Sequence, residues 1–195
     1  MSNTPKTIFL VGRAGCGKGT QAALIRALLG EDRTLYFYTG QKFRELADGG
    51  HTYTTDMLKE KVLGLGLLAP RFLAIWAWAD KFIRELKPDQ HILLDGSPRI
   101  ALEAEILMQA LTFYNREHAI MLHIDIPASE AIRRLSKRGR EDDVPDAIAK
   151  RLEVFEKEMK ELRAFVLTHP QMELIEINGV GTVEEVFERI RPVIQ

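Results

Sequence analysis

A parallel α/β fold, five strands in one sheet flanked by helices, is what this sequence predicts, and three observations predict it. Short apolar runs alternate along the chain with long amphipathic stretches, the pattern of a parallel sheet wrapped by helices. Two of the runs, Ile92-Leu93-Leu94 and Ile120-Met121-Leu122, are continuously apolar, as strands buried on both faces are. The first run, Ile8-Phe9-Leu10-Val11, leads into Gly12-Arg13-Ala14-Gly15-Cys16-Gly17-Lys18-Gly19-Thr20 and then into a helical pattern. Strand, glycine loop and helix in that order are the context of a phosphate-binding loop.

The elements follow in chain order. Strands are expected at residues 7–11, 35–38, 91–94, 120–126 and 173–177, each ending in turn residues or a helical pattern. The first helix, Lys18–Leu29, carries Ala22, Leu24, Ile25, Leu28 and Leu29 at helical spacing. Another begins at Pro70, a residue suited to a first helical turn, and runs to 86; the next covers 101–114 after Pro98. A long helix from Pro145 ends at Thr168, ahead of Pro170. The last is expected over 183–190 behind Thr182, an N-cap candidate with Glu185 three residues on. The stretch from 40 to 88 is too long for a simple crossover and reads as an inserted lobe of several helices. Residues 138–144, with three acids, two arginines and no apolar periodicity, read as a mobile loop.

Size and composition bound the function. A chain of 195 residues, 46% hydrophobic and 28% charged, fits one soluble globular domain, and no apolar stretch is long enough to span a bilayer. The N-terminus lacks the apolar core of a secretory signal, so a cytoplasmic location without membrane partners is expected. A net charge of −1 argues against bulk nucleic-acid binding. Cys16 is the only cysteine, which excludes an internal disulfide and a cysteine-based zinc site.

The glycine loop carries the first piece of chemistry. Its glycines can adopt positive φ and let a phosphate approach the backbone, while the following helix aims free N–H groups and its positive end at the anion. Lys18 adds a point charge. The general pattern has Ser or Thr directly after the lysine as a magnesium ligand; here Gly19 stands there and Thr20 follows. Basic residues near element ends, Lys18, Arg44, Arg99, Arg134, Arg138, Arg140 and Arg151, form a set that phosphoryl transfer needs, because its transition state spreads negative charge over several oxygens. Any one of these arginines also fits a solvated helix face. Arg134 and Arg138 share a face, and two stacked cations call for an anion between them, either a polyphosphate or the nearby Glu130 and Asp142. Asp95 ends the third strand at the edge where ligands of open α/β sheets bind. It is the candidate for organising magnesium, directly or through water, and the alternative is an Asp that caps its own turn.

Taken together, four ordered blocks resemble the adenylate kinase family of nucleoside monophosphate kinases over nearly the whole chain. They are Gly12…Gly17-Lys18-Gly19-Thr20-Gln21, Thr39-Gly40-Gln41-Lys42-Phe43-Arg44, Leu94-Asp95-Gly96-Ser97-Pro98-Arg99, and Arg134…Arg138-Gly139-Arg140-Glu141-Asp142-Asp143…Arg151. Glycine after the lysine is this family's own spelling. The resemblance implies a P-loop NTPase-like core (1–39, 89–137 and 146–195), a nucleoside-monophosphate-binding lobe at about 40–88 and a short lid at about 138–145. It implies a monomer that transfers the γ-phosphoryl of ATP-Mg²⁺ to a nucleoside monophosphate, AMP first, without zinc.

The same resemblance assigns roles. Gly12, Ala14, Gly15, Cys16, Gly17, Lys18, Gly19 and Thr20 would hold the ATP phosphates, with Arg134 and the Gly181 backbone at the ATP base. Arg44 and Arg99 would clamp the acceptor phosphate; Arg138, Arg140 and Arg151 would meet the transferring group. Thr39, Gly40, Gly96 and the backbone at Leu67, Leu68 and Ala69 would line the acceptor pocket. Several positions depart from the family pattern: Gln41 replaces an Asp, Ser97 a Phe, Ala14 a common Pro, and Glu103 stands where a Gln usually reads the acceptor adenine. A carboxylate only accepts hydrogen bonds, so Glu103 leaves CMP, UMP or GMP open as acceptor. The other reading of Glu103 is a solvent-facing side chain, and a non-catalytic nucleotide-binding protein is the alternative outside the enzyme class. Trp76 and Trp78 are read as helix packing within the inserted lobe, the five histidines show no metal spacing, and the acids and lysines of 153–163 read as a solvated helix face.

Overall fold

The protein is described here by a computed structural model covering residues 4–65, 67–116, 118–139 and 144–195. Five parallel strands form one sheet in the order β2-β3-β1-β4-β5: β1 (Thr7–Val11), β2 (Thr34–Tyr38), β3 (His91–Asp95), β4 (Ala119–Asp125) and β5 (Met172–Asn178). Between them lie α1 (Lys18–Leu29), α2 (Thr39–Asp48), α3 (Tyr53–Leu58), α4 (Arg71–Glu85), α5 (Ala101–Phe113), α6 (Ala128–Arg138), α7 (Pro145–Thr168) and α8 (Val183–Ile194). A more widely wound turn, Lys59–Leu63, continues α3.

Alternation along β1 builds both faces of the core. Phe9 and Val11 point to one side and pack with Leu94, Met121, Trp78, Phe82, Leu107, Leu111, Leu162 and Val166, from the sheet and from α4, α5 and α7. Ile8 and Leu10 point to the other, where Leu93, Leu122 and Ile124 meet Ala22, Ile25, Leu135, Phe187, Ile190 and Ile194 from α1, α6 and α8. Ile8, Phe9 and Leu10 have no solvent exposure, as expected of a central parallel strand. Register then fixes the functional edge. Leu10 pairs with Asp95, and Tyr38 pairs with Asp95 from the other side, so the carboxyl ends of β1, β3 and β2 stop at one level.

The first strand matches its expected limits and the other four recur with ends shifted by at most one residue, while Lys18–Leu29 and Pro145–Thr168 match theirs. Two differences have physical reasons. Helix α8 does not stop at 190 but runs through Pro192 to Ile194. Proline removes one helical hydrogen bond, yet Ile190 and Ile194 are both fully buried, and burying one such side chain contributes about 1.5–3 kcal/mol. Trp78 packs inside as expected, whereas Trp76 is 42% exposed and carries the Lys42 ammonium over its ring at 5.7 Å. Among the described residues no helix is long and apolar enough to cross a membrane.

Candidate functional site

The loop between β1 and α1 has the geometry its glycines allow. Gly12 sits at φ 148°, and a Cβ there would lie 2.4 Å from the Ile124 carbonyl oxygen, so only glycine fits against β4. Gly17, at φ 97°, precedes α1, whose first turn has neither a side-chain cap nor an acid. Its leading N–H groups therefore face the cleft with the positive end of the helix behind them. Lys18 is folded back into this loop, its Nζ donating to the carbonyls of Gly12 (2.7 Å) and Arg13 (3.0 Å). Arg13 braces the loop from outside: its guanidinium pairs with Asp125 on β4 and Glu156 on α7 and donates to the Ile126 carbonyl at 2.8 Å.

Asp95 closes the cleft from the end of β3. It is almost fully buried, accepts a hydrogen bond from the Tyr36 hydroxyl at 3.2 Å, and its Oδ2 would lie 3.8 Å from a Cβ built on Gly19. Burial, then the Asp95 charge, pushes the Tyr36 phenol up, so Tyr36 stays a donor. The carboxylate thus faces the phosphate loop. Arg99 is held by its own loop, its Nε donating to the Gly96 carbonyl at 2.8 Å. Arg44 rests on an aromatic surface, with its guanidinium 5.3 Å from the centre of the Tyr38 ring. Gly40 makes room for that ring, since a Cβ there would come within 2.9 Å of it.

Three cavities meet along this edge. The central one, about 490 Å³, is lined by the phosphate loop, Tyr38, Gly40, Arg44, Leu67, Leu68, Ala69, Asp95, Gly96, Arg99, Arg138 and Arg151. On one side it shares Gly15, Gly17 and Thr20 with a second, about 580 Å³, bounded by Cys16, Gln21, Arg134, Gly181 and Val183. On the other it shares Phe43, Leu68, Ala69 and Arg99 with a small third of about 30 Å³, bounded by Thr39, Arg71, Ala74, Ile100 and Glu103. The result is a row: a flank, a basic centre beside the phosphate loop, and a second flank.

The residues singled out in the sequence fall along that row, with several adjustments. Arg134 lies in the second cavity, but Glu130 takes its Nε at 2.7 Å, while its remaining nitrogens donate to the carbonyls of Cys16 and Gly179 at 3.5 and 3.2 Å. The cation pair on α6 is therefore balanced on the Arg134 side by Glu130. Asp142, the other candidate anion, lies outside the described residues, as does Arg140. Glu103 does not face solvent; it is 3% exposed at the end of the third cavity. Gln41 is exposed and donates to Glu45 at 2.7 Å, so its amide serves its own helix. Of the α7 acids expected on a solvated face, Glu158 lines the central cavity, beside Phe155 and Met159, and Glu156 braces Arg13.

Tyr38, Phe155 and Met159 were missed in the sequence. Tyr38 could have been found from the strand-end aromatic immediately before Thr39-Gly40; the α7 pair carries no comparable local signal. Among the described residues no three His, Cys, Asp or Glu side chains converge as a metal site.

Comparison with known proteins adds an independent line. The family model "ADK: Adenylate kinase" matches residues 10–169. An adenylate kinase of Azobacteroides pseudotrichonymphae is 34% identical, with 94% of each chain covered. An adenylate kinase of Bacteroides fragilis is 31% identical over 94% of this chain and 95% of its own. A UMP-CMP kinase of Prunus armeniaca is 30% identical over 97% of this chain and 78% of its own.

Proposed function

The chain belongs to the adenylate kinase family of phosphotransferases, and from that premise we propose that it transfers the γ-phosphoryl of ATP, bound with Mg²⁺, to a nucleoside monophosphate, AMP first. The observation that carries this reading is the row of three joined cavities, which suits two nucleotides lying head to head with their phosphates at the basic centre. The cavity beside Arg134 and Gly181 takes the ATP base, and the small cavity beside Glu103 takes the acceptor base.

Each group then has a task. Lys18 exchanges the carbonyls of Gly12 and Arg13 for phosphate oxygens, joined by the free N–H groups of α1. Arg44 and Arg99 approach the acceptor phosphate, where a guanidinium fork binds two oxygens at once. Arg138 and Arg151, with Arg140, neutralise the equatorial oxygens of the group in flight. Asp95 and the Thr20 hydroxyl line the same cavity as Lys18, and their hard oxygens fit a magnesium ion, with Asp95 holding it directly or through water. Such an ion supplies neutralisation of charge on the ATP phosphates. Closure of the lobe at about 40–88 and the lid at about 138–145 over the core keeps water from the γ-phosphoryl. A monomeric cytoplasmic enzyme is part of the same reading.

A pyrimidine acceptor is the second reading, favoured by the similarity to the Prunus armeniaca UMP-CMP kinase. A coupled assay of purified protein with ATP-Mg²⁺ against AMP, CMP, UMP, GMP and dTMP separates the two. The highest kcat/KM with AMP is expected. Transfer to no acceptor, with ATP still bound, would leave a nucleotide-binding protein without kinase activity.

A further inference from the structure

Arg13 and Lys18 are the basic residues of the phosphate loop, and they point in different directions. Gly12, Ala14 and Lys18 line the central cavity, whereas Arg13 lines none of the three cavities described above. Its charge therefore acts away from the phosphates. One edge of the guanidinium, Nη1, donates to Asp125 and, at 2.8 Å, to the Ile126 carbonyl, both at the end of β4. The other edge reaches α7, where Nε donates to Glu156 Oε1 at 2.7 Å. Its carbon lies 5.6 Å from the centre of the Phe155 ring, within the range of a cation over an aromatic face. An isolated surface ion pair would hold little. This guanidinium is engaged on both edges and on one face, and its side chain is only 16% exposed.

Two cations of the cleft depend on this one residue. Through its main chain it touches Lys18, whose Nζ donates to the Arg13 carbonyl at 3.0 Å. Through its side chain it holds α7 at the consecutive residues Phe155 and Glu156. Arg151 stands four residues before Phe155, hence on the same helix face, and both line the central cavity. The separation along the axis is about 6 Å, a single hydrogen-bonded turn, so a slide or tilt of α7 at Phe155 is carried to Arg151. We propose that Arg13 is a positioning residue, which sets the distance between Lys18 on the donor phosphates and Arg151 at the transferring group by tying α7 to the phosphate loop. This role rests on the kinase reading for the reaction it serves, and it falls to a side chain that lies outside the cavities assigned to the nucleotides.

The kinetic signature follows from where Arg151 acts. It meets the group in flight, so moving it raises the barrier without loosening either bound nucleotide. A misplacement of about 1 Å in such a group can cost about a hundredfold in rate. Arg13→Met keeps the aliphatic stem and removes the guanidinium with all its contacts. The single-turnover rate of transfer from ATP-Mg²⁺ to the best acceptor of the coupled assay should fall about tenfold to a hundredfold, with the Kd of each nucleotide within about twofold of its original value. In Arg151→Ala no cation is left to aim, so the same Arg13→Met change should cost less than about twofold there. A brace that only supports the fold would lower the rate by the same factor in both backgrounds. Glu156→Gln, at a half-exposed helix position, should reproduce a smaller part of the loss, again only while Arg151 is present, and it decides the matter should Arg13→Met fail to fold. An unchanged rate in these variants, a loss confined to Kd, or an equal loss with and without Arg151 would overturn the proposal. Transfer to no acceptor by the unmodified protein ends the kinase reading and this role together, whereas transfer that the variants leave at full rate ends this role alone.

Discussion

Replacing Tyr38 by Leu removes the aromatic surface under Arg44 while keeping an apolar side chain at the end of β2. A guanidinium over a ring at a partly exposed site contributes about 0.5–1 kcal/mol, and the 5.3 Å separation lies within the range of that attraction. If the ring holds Arg44 in the position from which it meets the acceptor phosphate, its loss frees a long side chain. KM for the acceptor should then rise about twofold to fivefold, since 1.4 kcal/mol corresponds to a factor of ten. The ring does not touch the transferring group in this account, so kcat should change little. Tyr38→Phe keeps the face and should restore most of the affinity. Steady-state kinetics with the acceptor varied at saturating ATP-Mg²⁺ reads both constants. An unchanged acceptor KM in a folded Tyr38→Leu, or an equal loss in Tyr38→Phe, would refute the reasoning.

Three further outcomes are expected. Lys18→Ala, which deletes the charge held over the phosphate loop, should lower kcat about a hundredfold to a thousandfold in the coupled assay without unfolding the chain. Arg116→Ala should destabilise by about 3 kcal/mol in urea denaturation, because that buried guanidinium donates to the carbonyls of Lys87, Pro88 and Gln90 and its loss strands them. Burial pulls the imidazoles of His91 and His123 down, so the folded protein resists protonation there. The unfolded chain takes up those protons below about pH 6.5, so the melting temperature should fall as pH drops through that value and be flat above it on this account.

Much of the fold was legible because the central strands are continuously apolar and the first of them ends in a glycine loop with few structural alternatives. Helix α8 was cut short because Pro192 is a local stop signal, whereas the burial of Ile194 is a tertiary fact with no local trace. The basic residues of the site were legible from their positions at element ends. Their resting partners were legible only in part: Glu130 was one of the anions the helix spacing offered to Arg134, whereas nothing in the spacing tells that Lys18 bonds the carbonyls of Gly12 and Arg13. Glu103 was visible as an unusual residue, but that its neighbour is Ser97 depends on how the turn after β3 folds over α5.

The position of β1 has a consequence for synthesis. It is the central strand of the sheet and precedes both of its neighbours in the chain, with Thr7–Leu10 awaiting partners at Ile92–Asp95 and Ile8–Val11 awaiting others at Ile120–His123. At translation rates of about 5–20 residues per second, this largely apolar strand of the nascent chain stays unpaired for on the order of ten seconds. The strand that anchors the phosphate loop is therefore also a segment that a nascent-chain chaperone would shield until β3 and β4 emerge.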